Sequence, residues 1–287
     1  MVRSITHRAL ALVAVVALVG CERVVEVDIP EGERRLVVEG RIERIKEAPG
    51  SSQSIRLTTT DAFFSNAAAP PATGATVAVR DNQGGFFPFA ESAPGVYVTN
   101  DLSPDIGIEY ALEIEWDGEL YAATVLMLAV PPIDSLYFIF EEETVIVEKE
   151  GFRATIDYSD PEGVENFYLW EQLVDGVNVI PPDPGNPFNL VSEDEFYDGR
   201  SVLGFQANDE VALQPGQRAT VRQIALSRQG HDFYFTLFEQ NALGSGNPFS
   251  IPPANVRGNV QNLTRPGVPA LGFFEAAEVS VAEAVVP

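Results

Sequence analysis

Between Glu109 and Trp116 the chain alternates without a break: Tyr110, Leu112, Ile114 and Trp116 fall on one side, Glu109, Ala111, Glu113 and Glu115 on the other. A period of two over this length is the signature of a half-buried β-strand. Asp117-Gly118 follows, a dipeptide that tolerates the positive φ angles of a two-residue hairpin turn, and Leu120 to Val130 returns as the partner strand. A hairpin with one apolar face must bury that face against other strands. Candidates precede it: Leu36 to Ile42, Ser54 to Thr60, Gly74 to Asp81 and Pro94 to Val98, with Phe86 to Phe89 weaker because Pro88 lacks a ladder donor. This spacing predicts an antiparallel sandwich over 34–130, Ig-like or transthyretin-like in class.

Pro131-Pro132 marks the expected boundary of a second β-rich domain, 131–287. Its predicted strands are Ile133 to Phe140, Thr144 to Lys149, Phe152 to Tyr158, Asn166 to Val174, Gln217 to Leu226 and Ala270 to Phe274, with Val279 to Val281 extending the sheet. One helix is expected, from Arg228 to Leu243. Ser227 suits its N-cap, Gly244 its end, and the pairs Phe233/Leu237 and Tyr234/Phe238 give it an apolar face. The stretches Pro181 to Asp198 and Gly244 to Pro269 read as loops, with Ser192 to Asp198 acidic and exposed. The fold class is therefore mainly β, two antiparallel sandwich-like domains with one helix in the second.

The N-terminus carries a different message. Arg3 and Arg8 precede an apolar run from Ala9 to Val19, too short to span a bilayer, and Leu18-Val19-Gly20-Cys21 closes it. That is a lipoprotein signal peptide over 1–20, with Cys21 acylated and a tether over 21–33 in which Val25, Val27 and Ile29 alternate with acids. Cys21 is the sole cysteine, so no internal disulfide is available. The formal charge is −24, and loss of the leader, with two arginines and no acid, makes it two units more negative. Only Lys46 and Lys149 supply lysine. Such a balance argues against nucleic acid or an anionic lipid surface as a partner.

Familiar catalytic sets are scarce. His231 is the only histidine after the leader, and in the first turn of a helix leading to Phe235 it reads as a partly buried or capping residue. Zinc or copper sites built on several His or Cys ligands are not available. No catalytic residue is assigned. Asp157, Asp160 and Glu162 lie in one acidic turn and offer oxygen ligands for calcium, the only metal candidate, although Asp160-Pro161 and Gly163 also suit a plain turn. Phe86, Phe87, Phe89, Tyr168 and Trp170 read as core rather than as a ligand platform.

Four stretches carry a resemblance. They are Cys21 followed by Val-Glu-Val-Asp-Ile-Pro and Leu36 to Ile42; Gly74-Ala75-Thr76-Val77 with Gly95-Val96-Tyr97; Asp160-Pro161-Glu162-Gly163 with Asn166-Phe167-Tyr168; and the late helix followed by Asn247-Pro248-Phe249, Gly258-Asn259-Val260 and Leu271 to Phe274. In this order the chain resembles uncharacterised outer-membrane lipoproteins of the Bacteroidota, a domain-of-unknown-function family often encoded beside TonB-dependent receptors. The resemblance implies an outer-membrane location through the lipid, on the periplasmic or the surface face, and a TonB-dependent receptor as partner. It brings no catalytic residues. The expected function is that of a lipid-anchored envelope binding protein, with the contact surface in the second domain; the alternatives are a carboxylate-based glycan hydrolase and a structural or adhesive surface lipoprotein.

Overall fold

The computed structural model describes residues 32–46, 48, 50, 52–62, 67–144, 147, 149–179, 190–243 and 255–287. Cys21, the tether strand from Val25 to Ile29 and the Pro-rich loop up to residue 189 lie outside the described residues.

The first strands follow the alternation of the sequence: β1 (Leu36–Ile45), β2 (Gln53–Thr59), β3 (Thr76–Asp81), β4 (Phe86–Ala93), β5 (Val96–Thr99), β6 (Glu109–Trp116) and β7 (Glu119–Leu126). Asp117 (φ 51°) and Gly118 (φ 75°) both take positive φ, the geometry of a type I′ turn, and Trp116 faces Glu119 across it. Strand β4 serves two neighbours: its first half, Phe86 to Phe89, pairs with β3 and its second, from Ala90, with β5. Each half therefore has one open side, which is where a proline such as Pro88 is tolerated. The inward residues Val38, Ile42, Ile55, Leu57, Leu112 and Ile114 form the core of this part.

The later strands are β8 (Ile133–Glu141), β9 (Gly151–Ser159), β10 (Phe167–Val174), β11 (Val177–Asn178), β12 (Val191–Glu193), β13 (Ser201–Phe205), β14 (Arg218–Leu226), β15 (Gln261–Asn262) and β16 (Leu271–Val285), with helix α1 (Arg228–Leu243) before β15. Among the described residues the fold is mainly β, with a thirteen-stranded sheet, a three-stranded sheet and one helix. The long strand β16 joins the large sheet across Pro131-Pro132. It runs parallel to β1, from Val37↔Leu271 to Ile45↔Val279, and antiparallel to β14, from Ile224↔Val279 to Arg218↔Val285. The small sheet has the order β13-β9-β8. A second core, with Ile156, Tyr158, Tyr168, Trp170 and Val221, fills the space between the two sheets. A third, with Phe167, Leu169, Ile224, Phe238 and Val279, lies under the helix. No helix among the described residues is long and apolar enough to cross a membrane.

Three stretches differ from their reading in the sequence, the shortest being Gln261–Asn262, read as loop, which pairs with β7 as β15. The expected strand from Thr144 to Lys149 is not seen in its described residues: Thr144 and Val147 instead close on each other, Thr144 N donating to Val147 O and Val147 N to Thr144 Oγ1, both at 2.9 Å. The end of the expected acidic loop is integrated into the fold. Leu190 and Val191 are core residues, the Leu190 carbonyl accepts the Trp170 amide at 2.8 Å, and β12 pairs with β10.

Candidate functional site

Two places gather polar chemistry on this frame. The first lies beside α1. Ser227 caps the helix, its Oγ accepting the amide of Gly230 at 3.0 Å. The apolar face expected from the sequence is the one that docks: Phe233 and Phe238 are buried, and the Phe233 ring meets Phe273 of β16 at 4.9 Å. Between helix and sheet remains a cleft of about 790 Å³. Phe233, Tyr234, Leu237, Leu271 and Phe273 form its apolar wall; Arg41, Glu43 and Gln53 form its polar end. Size and lining are those of a small-molecule or peptide side-chain site.

The polar end is fixed by four charges from three strands. Arg41 Nε meets Glu43 Oε1 at 2.7 Å and Arg41 Nη2 meets Glu171 Oε1 at 2.8 Å. Arg222 completes the ring with its two terminal nitrogens on the other oxygens of Glu43 and Glu171. The four side chains are between 15% and 21% exposed, so the ring is screened little by solvent. Burial works against the charge on Arg41, but Glu171 and Glu43 outweigh it and raise its pKa. Burial likewise opposes the carboxylate of Glu43, and Arg41 and Arg222 nonetheless hold its pKa below the ordinary range. The ring is neutral as a whole and presents Arg41 and Glu43 to the cleft in fixed positions.

The second place is the turn after β9. Asp160 (5% exposed), Asp194 (4%) and the exposed Asp198 each bring a carboxylate oxygen to within 4.8 Å of the others. Asp160 accepts the Tyr168 hydroxyl at 2.6 Å and the Gly199 amide at 3.2 Å, Asp194 the Asn166 amide at 2.9 Å, and Asp198 the Gly163 amide at 2.7 Å. Burial raises the pKa of Asp160 against those two donors, and the charges of Asp194 and Asp198 push the same way. Three hard oxygen donors facing one another could coordinate a metal ion of the calcium type, with backbone oxygens or water completing the shell.

Of the carboxylates marked in the sequence, only Asp160 belongs to this group. Asp157 sits within β9 and accepts Gly204 N at 2.8 Å, Ser135 Oγ at 2.7 Å and Tyr137 Oη at 3.2 Å, which lower its pKa; Glu162 is exposed in the turn. Asp194, expected on an exposed loop, is a buried member of the cluster, because the chain after Val191 folds back on the start of β10. His231 packs between Phe167 (5.1 Å between ring centroids) and Phe235 (5.9 Å). Tyr168, Trp170 and Phe89 are core, Phe87 is partly buried, and Phe86 is exposed under the Arg80 guanidinium. The charge ring carried no signal in the sequence: its members sit at positions that read as solvent-facing, and only the packing of α1 over that side of the sheet, with Tyr234 beside Arg41, encloses them.

No curated protein matches the chain significantly. The profile of the family described as Domain of unknown function (DUF4249) matches residues 22–283, and the protein belongs to that family.

Proposed function

We propose that the chain is a lipid-anchored cell-envelope binding protein, an accessory subunit of a TonB-dependent outer-membrane receptor, and that the cleft beside α1 holds its ligand. The cleft carries the reading: an apolar wall from one helix and one strand, closed at one end by a rigid, neutral charge ring, is built to hold a ligand in one orientation. The anchor rests on the sequence, on Arg3, Arg8, the apolar run and Leu18-Val19-Gly20-Cys21.

The lipidated protein, drawn from membranes in mild detergent, should carry a diacyl- or triacyl-modified Cys21 by mass spectrometry and bring a receptor with it. Cys21→Ser should release it from the membrane. Leu237→Glu, on the cleft wall, should leave the anchor intact and remove any small molecule that co-purifies. An unmodified N-terminus elsewhere ends the anchor reading, and absence of any membrane protein in the eluate ends the receptor reading.

A further inference from the structure

Besides the open sides of β4, the two sheets end, among the described residues, in four edge strands, and three of these are blunted. Strands β11 and β15, at the ends of the large sheet, have two residues each. Strand β13 has five, with a register shift between Val202 and Phe205 and Gly204 at φ 74°. Shortness and bulges are the ordinary protections of a sheet edge against pairing with another chain. The fourth edge is long, and its one register shift lies at its very start, between Ile133 and Ser135. Strand β8 is nine residues long, contains no proline, and pairs regularly with β9 from Ser135 to Glu141. Among the described residues no strand lies on its outer side.

The surface of β8 is that of a strand meant to be covered. Tyr137 is 38% exposed, Ile139 41% and Phe140 52%, with Leu203 of the same sheet at 75%. The strand is also held still. Leu136 and Phe138 are packed on the core between the sheets, the Tyr137 hydroxyl donates to Asp157, and the Phe140 ring meets Phe152 edge-on at 5.2 Å. A fixed edge offers its free amides and carbonyls without first losing conformational freedom.

Charge says what could cover it. No basic residue occurs from Ile133 to Glu148, whereas Asp134 stands at one end of β8 and Glu142 and Glu143 follow the other, beyond Glu141, which pairs with Arg153 of β9 at 3.5 Å. Glu142 and Glu143 are exposed. A second copy would lay acids of the same sign against these, in a chain whose formal charge is already −24. A basic segment would be drawn to the same place. We propose that the β8 edge is a docking site for an extended segment of a partner protein, apolar at its centre and basic at its ends, which joins the small sheet as an added strand. Main-chain hydrogen bonds would supply affinity, and the acidic ends would select the partner and suppress self-pairing. The inference does not use the cleft or the anchor, and its test separates from theirs.

The test uses the purified chain and a labelled synthetic peptide, Lys-Lys-Thr-Val-Thr-Val-Thr-Lys-Lys, followed by fluorescence anisotropy at low salt. The expected result is saturable binding that weakens at least tenfold when alternate backbone nitrogens of the peptide are methylated. Glu142→Lys/Glu143→Lys should weaken it to a similar degree, and Ile139→Asp should abolish it. All three positions are exposed, and unchanged thermal unfolding would show that the variants fold. Binding that ignores backbone methylation would reduce the site to charge attraction and overturn the proposal. Absence of binding would overturn it too, as would a dimer of the native chain in sedimentation that Ile139→Asp dissociates, since the edge would then belong to a second copy.

Discussion

The hydroxyl of Ser227 donates to Oε2 of Glu275 at 3.1 Å while accepting the amide of Gly230, so one side chain ties the first turn of α1 to a carboxyl group buried beneath it. Glu275 is fully buried on β16, in register with Arg41 of β1, and its Oε1 has no hydrogen-bond partner. Burial raises its pKa from the ordinary 4.5 to about 7, against the opposing pull of Ser227 and the charge of Arg41.

The sign of the consequence is fixed by linkage. Between pH 4.5 and about 7 the folded chain binds more protons at Glu275 than the unfolded chain does, so this group makes stability fall as pH rises through that window. At one pKa unit per 1.36 kcal/mol the loss is on the order of 3 kcal/mol. Glu275→Gln, which keeps the shape of the neutral acid, should be more stable than the native chain at pH 8 and no more stable at pH 5. Melting curves of both proteins at the two pH values check this; an equal difference between them at both would remove Glu275 as the titrating group.

The charge ring predicts a non-additive pair. Arg222→Met leaves Glu43 and Glu171 to share Arg41 in a largely buried place and should cost about 3–5 kcal/mol. Arg222→Met/Glu171→Leu removes a cation and an anion together and should cost less than the sum of the two single changes by more than about 1 kcal/mol. Urea unfolding of the three variants closes the cycle, and strict additivity would show that the ring is only a set of neighbours.

Gly272 predicts a backbone effect. It has φ 81°, and a Cβ there would stand 2.0 Å from the carbonyl oxygen of Val38. Neither strand can yield, because Val38 and Gly272 are paired inside the large sheet. Gly272→Ala should therefore cost more than about 4 kcal/mol, enough to leave most of a marginally stable chain unfolded. Gly267→Ala, where a Cβ would meet nothing within 4 Å, is the control and should be nearly neutral. Soluble yield and unfolding midpoints distinguish them, and a folded Gly272→Ala of native stability would contradict the tight pairing of β1 with β16.

What was legible in the sequence was local. The alternation of Glu109 to Trp116, the Asp117-Gly118 turn and the helix with its Ser227 cap depend on neighbouring residues, and the structure repeats them. What was not legible depends on distant pairing. Nothing near Arg41 or Arg222 tells that β16 will run between their strands, or that α1 will cover the side of the sheet they share. Asp194 illustrates the same limit: in an acidic run it looks solvated, and only the pairing of β12 with β10 carries it to Asp160. Acidic side chains are usually outside, so a buried one leaves no mark in composition.

The last prediction uses that cluster, because its carboxylates can be balanced in two ways with opposite signs. If a cation joins Asp160, Asp194 and Asp198, it ties the turn after β9 to the segment after β12, and millimolar calcium should raise the melting temperature by several degrees beyond sodium chloride of equal ionic strength. Asp198→Asn keeps an oxygen for the Gly163 amide but loses the charge, and should abolish that rise. If the hydrogen bonds from Tyr168, Gly199, Asn166 and Gly163 are the whole of the balance, Asp198 instead adds only repulsion to its neighbours, which is the direction in which it moves Asp160. Asp198→Asn should then melt higher than the native chain, and calcium should act no differently from sodium. Melting curves of the two proteins, each with and without calcium, give a rise lost in the first case and a rise gained in the second.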